Sequence, residues 1–282
     1  MNGTPNILAP PIHWRGEDGD TLEITYQGQF LKWRELQEPQ PQIDPPKRGR
    51  VTEFTKASRL RMLSYIAKVD WQANVPCLFI TLTYPDSVNI RENYKATQHR
   101  SVFWRDLEKG VGHHVPALWR IEWVQRKSGK RKGEYMPHLH VITFREKYIS
   151  HLDVNKWWRK AIGVKKVRTE TKGMVNERQV GYYVAKYSAK VDDHSLVNAA
   201  YLNNIPPGRQ WGILRKQLIK LHEKRVLRVK PDEQTDKIKA FGLEGFEWLN
   251  AAGTGSFTLL GNRAPQIGDI FFGEGILETP PS

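Results

Sequence analysis

Two histidines one residue apart stand at the start of an apolar run, PHLHVI, at residues 137–142. Imidazole nitrogens bind divalent metals, and alternate residues of a β-strand face the same side of a sheet. If the chain before this strand forms a hairpin that turns near Arg131, residue 122 lies opposite residue 140. Glu122, His138 and His140 then share one face. Two imidazoles and one carboxylate suit Mg²⁺ or Mn²⁺ in a site that must also bind substrate.

Two alternatives stay open for this group. The histidines can form local hydrogen bonds while Glu122 is a solvated strand residue, since a register shift of one residue moves it to the other face. Glu134, which lies in the turn, is a competing carboxylate ligand.

A second group of reactive residues repeats the unit Tyr-x-x-Lys, in the sequence YVAKYSAK at residues 183–190. On a helix, Tyr183 and Tyr187 lie on one face, and Lys186 and Lys190 follow them by one turn. A nearby ammonium favours the phenolate and can steady charge on a phosphate under attack. The alternative is core packing, because the tyrosines share their stripe with two valines.

Periodicity predicts the elements that position these residues. Helices are predicted at residues 55–69, 91–109, 151–162, 176–190 and 213–230, and strands at 21–26, 78–85, 117–125 and 138–144. The expected fold class is α+β, with an antiparallel sheet of about five strands and flanking helices. The histidines are expected on a central strand, with the tyrosine helix packed across the sheet.

The net charge of +14 is concentrated in the middle of the chain, where residues 120–190 carry 18 basic and 6 acidic groups. Such a charge favours a polyanionic partner, although a solvated basic surface is the alternative. Candidates for contact with a nucleic-acid backbone or for base stacking lie in the predicted turn and near residue 210: Lys127, Lys130, Arg131, Lys132, Arg209 and Trp211. The four turn residues can equally be solvated loop charges.

Composition gives an outline of the chain. Seven of 17 prolines fall in the first 46 residues, which predicts an N-terminal arm at 1–50, a central domain at 51–230 and an acidic, glycine-rich appendage at 231–282. The single cysteine, Cys77, excludes an intrachain disulfide and is predicted to be a buried thiol. Neither a signal peptide nor a long apolar run is visible, so we expect a soluble, cytoplasmic protein without membrane contact.

Together, these motifs resemble those of the HUH endonucleases, specifically the rolling-circle replication initiators of single-stranded-DNA phages and small plasmids. FITLTYP at 79–85, PHLH at 137–140 and YVAKYSAK occur in that family's order. WRIEW at 119–123 is similar to the strand that supplies an acidic ligand, and GRQWG at 208–212 is similar to a downstream element. The resemblance covers about residues 55–215.

The resemblance implies an RRM-like or ferredoxin-like sheet and a role for each motif. His138 and His140 are metal ligands and Glu122 is the third ligand, with Mg²⁺ or Mn²⁺ as the cofactor. Tyr183 and Tyr187 are nucleophiles, assisted by Lys186 and Lys190.

The implied activity is nicking and joining of single-stranded origin DNA through a 5′-phosphotyrosine, which leaves a 3′-OH primer. No phosphate-binding GxxxxGK[ST] motif is present, so a host helicase is an implied partner, with a host DNA polymerase and single-strand-binding protein in the bacterial cytoplasm. A relaxase or transposase with the same chemistry is one alternative. A metal-free basic DNA-binding protein is the other.

Overall fold

The computed structural model describes residues 22–35, 54–90, 95–146, 148–176, 179–180, 208–230 and 257–260, with residues 232, 235, 264 and 265. In chain order, the elements are β1 (Leu22–Gln27), β2 (Phe30–Glu35), α1 (Lys56–Ile66), α2 (Trp71–Asn74), β3 (Cys77–Thr83), α3 (Ala96–Val111), β4 (Ala117–Gln125), β5 (Tyr135–Phe144), α4 (His151–Ile162), β6 (Arg168–Met174), β7 (Trp211–Leu214), a 3₁₀ turn (Lys216–Leu218), β8 (Arg225–Val229) and β9 (Phe257–Leu260). None of the helices described is long and apolar enough to cross a membrane.

The chain divides into two compact units. One unit contains Pro46–Leu63 and Asp70–Lys220, and its sheet has five strands in the order β6-β3-β5-β4-β7, all antiparallel. The predicted α+β class, with a five-stranded antiparallel sheet and flanking helices, is confirmed. The histidine strand, β5, is the central strand of this sheet.

A hydrophobic layer lies between this sheet and helices α3 and α4. Strand residues that alternate along the chain, such as Ile80 and Ile121, point into it and meet Phe103, Leu107 and Trp158, which are at most 1% exposed. Burial of each large apolar side chain contributes about 1.5–3 kcal/mol. Because strand side chains alternate, the residues between these positions lie on the opposite face of the sheet.

The β4–β5 hairpin sets the register of the candidate site. Glu122 lies opposite His138, and Arg120 lies opposite His140, so the predicted pairing of residue 122 with residue 140 is wrong by two positions. The turn is centred on residue 130, because β4 ends at Gln125 and pairs there with Tyr135. A shift of two residues preserves the face, so Glu122 stays on the side of the histidines.

The other unit contains Met1–Pro45, Ser64–Val69 and Leu221–Ser282, and its antiparallel sheet has the strand order β8-β1-β2-β9. Strand β1 confirms the short strand predicted at 21–26. The helix predicted at 213–230 is wrong: the segment forms β7, a 3₁₀ turn and β8. In β8, side chains alternate between more and less exposed positions, a period of two that matches its pairing with β1.

The predicted domain boundaries at residues 50 and 230 stay a prediction. Strands from all three predicted segments pair in the four-stranded sheet, since β1 and β2 come from 1–50, β8 from 51–230 and β9 from 231–282. In the other unit, Cys77 is fully buried and free, as predicted, and burial raises the pKa of its thiol to about 12.

Candidate functional site

His138 and His140 lie on the face of the five-stranded sheet that is opposite α3 and α4. Their neighbours in register on β3 are Thr83 and Thr81, and their neighbours on β4 are Glu122 and Arg120. The predicted meeting of Glu122 with the two histidines on one face is therefore what the structure shows. It is produced by three adjacent strands rather than by the β4–β5 hairpin alone.

His140 is held by partners on both ring nitrogens. Its Nε2 lies 2.8 Å from Oε2 of Glu122, and its Nδ1 lies 3.2 Å from Oγ1 of Thr81. Both His140 and Glu122 are 8% exposed, and the ring of Phe79 stacks on the imidazole at 5.6 Å. A carboxylate only accepts hydrogen bonds, so Nε2 must carry a proton and donate it to Glu122.

His138 repeats the same arrangement two residues earlier. Its Nδ1 lies 3.3 Å from Oγ1 of Thr83, and its ring stacks near that of His140 with a centroid distance of 6.1 Å. Two threonines of one strand thus orient two histidines of the next strand. A threonine hydroxyl can both donate and accept, so it supports either neutral tautomer of the ring it contacts.

Sequence reasoning missed Thr81 and Thr83 as site residues. The signal was present, because the alternation Thr-Leu-Thr at 81–83 has the same period as His-Leu-His at 138–140. In both strands the leucines, Leu82 and Leu139, turn into the core. Only the register between β3 and β5, which sequence alone does not supply, shows that the polar positions meet.

The donor set matches a divalent metal in type but not in present spacing. Two imidazoles and a carboxylate on one face, with each Nδ1 held by a hydroxyl, resemble the way that outer hydrogen bonds orient metal-binding histidines. Among the residues that the structure describes, however, no three His, Cys, Asp or Glu side chains group closely enough to hold one metal ion. Glu122 is instead bonded to Nε2 of His140, and the metal assignment stays a prediction.

Arg120 adds a buried positive charge to the same face. It is 5% exposed, lies opposite His140 in register and places its guanidinium 5.2 Å from the ring centroid of Phe54. On its other side it pairs with Trp211 of β7, whose Nε1 donates to Oγ of Ser58 at 3.0 Å. Trp211 is half-buried, whereas Arg209 is exposed; their contact with DNA stays a prediction.

The tip of the β4–β5 hairpin separates the four predicted DNA contacts into two kinds. Lys127, Lys130 and Lys132 are exposed. Arg131 is committed to the protein, because its Nε donates to the carbonyl of Asp86 at 3.1 Å and its Nη1 donates to Glu134 at 3.2 Å. This ion pair engages the carboxylate that was the competing metal ligand.

A second arginine, Arg126, ties the base of the hairpin tip to the segment after β3. Its guanidinium bonds the carboxylate of Asp86 and donates to the carbonyls of Tyr84 and Pro85 at 3.2 and 3.3 Å. The tip is therefore anchored beside the end of the strand that carries Thr81 and Thr83.

The predicted tyrosine helix lies outside the described residues. Residues 179 and 180 are helical, and Val180 is buried, but Tyr183, Lys186, Tyr187 and Lys190 follow beyond them. The roles predicted for these four residues stay predictions.

One protein family matches the part of the chain that contains most of this site. Residues 77–192 match the replication-associated protein ORF2 family. The predicted resemblance to replication-associated proteins is thereby confirmed. The match begins at the first residue of β3, includes the two threonines, Glu122 and the histidine pair, and extends past the tyrosine motif. No curated protein and no solved structure gives a significant match to the chain.

Proposed function

We propose that the chain initiates DNA replication by nicking one strand at an origin and later rejoining it. The observation that carries the proposal is the meeting of Glu122, His138 and His140 on one sheet face, within a segment that matches replication-associated proteins. The strong positive charge of residues 120–190 favours a nucleic-acid substrate in the same way.

The chemical step is a transesterification by a tyrosine. The phenolate oxygen of Tyr183 or Tyr187 attacks the scissile phosphorus, and the bond from phosphorus to the 3′ oxygen breaks. The 5′-phosphate stays on the tyrosine, while the released 3′ oxygen takes up a proton and becomes a 3′-OH. Attack by a later 3′-OH reverses the step and reseals the strand without ATP, and the second tyrosine permits a second cleavage before the first strand end is released.

Each residue of the site has a role in this proposal. Mg²⁺ or Mn²⁺ held by His138, His140 and Glu122 would supply Lewis-acid stabilisation of the phosphate. Thr81 and Thr83 fix the orientation of both imidazoles. Lys186 and Lys190 favour the tyrosine phenolates, and such electrostatic and positioning effects are large terms in catalysis.

The proposed products define the partners. A 3′-OH primes a host DNA polymerase, and the chain needs a host helicase and a single-strand-binding protein to unwind and protect DNA in the bacterial cytoplasm. Exposed Lys127, Lys130, Lys132 and Arg209, with Trp211, are the proposed contacts to the origin strand. Arg131 has its hydrogen bonds within the protein and supports the tip of the hairpin instead.

A covalent-adduct assay tests the proposal. Single-stranded oligonucleotides that tile the DNA around the coding sequence are labelled at the 3′ end, because the fragment with the 5′-phosphate stays on the protein. Incubation with Mn²⁺ should give one oligonucleotide that migrates with the protein in a denaturing gel. Tyr183→Phe combined with Tyr187→Phe should abolish the band and spare DNA binding.

Tyr148→Phe is the matched control, since Tyr148 is 76% exposed and outside the tyrosine motif. An adduct that survives the double substitution contradicts the nucleophile assignment. A chain that forms no adduct with any oligonucleotide or divalent metal, and still binds DNA, is a DNA-binding protein without nicking activity. Transfer of the bound strand into an unrelated target would instead indicate a transposase.

A further inference from the structure

A basic groove lies on helix α4, away from the histidine face. It has a volume of about 440 Å³ and is lined by Lys156, Arg159, Lys160, Gly163, Val164 and Lys165. The inner side of α4 packs against the sheet through Val154 and Trp158, which are buried, whereas the four cations are exposed. The groove and the candidate active site thus lie on opposite faces of one sheet.

The charges of the groove are not explained by ion pairs within the fold. Lys160 is the exception, since its Nζ lies 2.8 Å from Asp106, a carboxylate that Arg105 also contacts. Lys156, Arg159 and Lys165 form no ion pair with any carboxylate that the structure describes. Cations near the end of a helix gain about 0.3–1 kcal/mol from its dipole, but Lys156 and Lys160, four residues apart, repel each other.

We infer that this groove binds the phosphate backbone of duplex DNA, as a contact separate from the strand that is cut. Four cations around one groove are complementary to a polyanion. Single-strand sites combine basic grooves with exposed aromatic rings on which bases stack. The groove lacks such rings: Trp158 is 1% exposed, and Trp157 packs against Gly110. Contacts to phosphates without base stacking fit the outside of a double helix.

This inference does not depend on the proposed nicking. A protein that only binds DNA could use the same groove, and a protein that nicks a single strand could lack it. If both activities are present, the groove can hold duplex DNA beside the origin while the opposite face acts on the unpaired strand.

The test uses the full chain with Lys156→Ala, Arg159→Ala and Lys165→Ala combined. Binding of a fluorescent 30-base-pair duplex is measured by anisotropy from 50 to 300 mM salt, beside a single-stranded oligo-dT. If each cation contacts one phosphate, the slope of log K against log salt falls by about 2.7, and duplex affinity falls about tenfold or more. Oligo-dT affinity and any covalent adduct should be unchanged, and thermal unfolding should confirm the fold.

Two matched variants make the result specific. The charge-preserving combination of Lys156→Arg, Arg159→Lys and Lys165→Arg should keep both duplex affinity and slope. The combination of Lys127→Ala, Lys130→Ala and Lys132→Ala removes the same charge from the hairpin tip and should change duplex binding much less. The inference is overturned if the groove triple leaves duplex affinity and slope unchanged, if it lowers single-strand binding equally, or if the hairpin triple has the same effect.

Discussion

The pair of Glu122 and His140 allows stability and metal binding to be separated by one substitution. Both side chains are 8% exposed, and Oε2 of Glu122 accepts a hydrogen bond from Nε2 of His140 at 2.8 Å. Glu122→Gln keeps the shape and an oxygen acceptor, so the charge-assisted bond becomes a neutral one at a cost of about 1 kcal/mol. Glu122→Ala leaves a buried donor without an acceptor and should cost about 3 kcal/mol.

The function should respond in a different order. A glutamine oxygen is neutral and is a much weaker ligand for Mg²⁺ or Mn²⁺, so Glu122→Gln should require at least about 100-fold more Mn²⁺ for adduct formation. Urea unfolding of the metal-free protein measures stability, and titration of the adduct band with Mn²⁺ measures metal affinity. Glu170→Gln is the control, because Glu170 lies opposite Thr81 on the same sheet face and is exposed.

Two results would refute this reasoning. An unchanged Mn²⁺ requirement in Glu122→Gln would show that Glu122 is not a metal ligand. Equal destabilisation by Gln and Ala would show that the hydrogen bond to His140 does not determine the stability of the pair.

Two further predictions concern the scaffold. Partial burial raises the pKa of Glu108, but hydrogen bonds led by Arg215 lower it to about 2. Because this pKa lies below the unfolded value, Glu108→Gln should cost about 1–2 kcal/mol in urea unfolding at pH 7, after allowance for solvent screening, and less as pH falls from 4.5 towards 2; a loss independent of pH would contradict the ion-pair explanation. A Cβ on Gly212 would lie 2.7 Å from the buried ring of Trp119, so Gly212→Ala should cost about 1–3 kcal/mol in thermal unfolding, whereas Gly173→Ala, with open space around it, should cost little.

Local patterns predicted the elements whose signals are complete within a short window. Strand β4 and helix α4 have the predicted bounds, 117–125 and 151–162. The helix ends at Gly163, which is left-handed with φ of +70° and therefore favours glycine at this position. Amphipathic spacing and a terminating glycine are properties of the segment itself.

Elements that depend on distant partners were not predictable in this way. Strand β8 pairs with β1, about 200 positions earlier in the chain, and β7 pairs with β4 through Arg120 and Trp211. Without those partners, the sequence at 213–230 favours a basic helix by composition. The hairpin register was missed by two residues for a related reason, since the length of its tip depends on the contacts of Arg126 and Arg131 with Asp86.

The site tolerated that error because the core, rather than the site, determines which face carries the donors. Trp119, Ile121 and Trp123 of β4 are buried against the helix layer, so Glu122 must point to the other side. A slip of one residue would expose all three side chains, at about 1.5–3 kcal/mol each, whereas the Glu122–His140 hydrogen bond is worth about 1.5–3 kcal/mol in total. Packing energy of the apolar residues therefore fixes the parity of the strand, and the imidazoles and the carboxylate meet as a consequence.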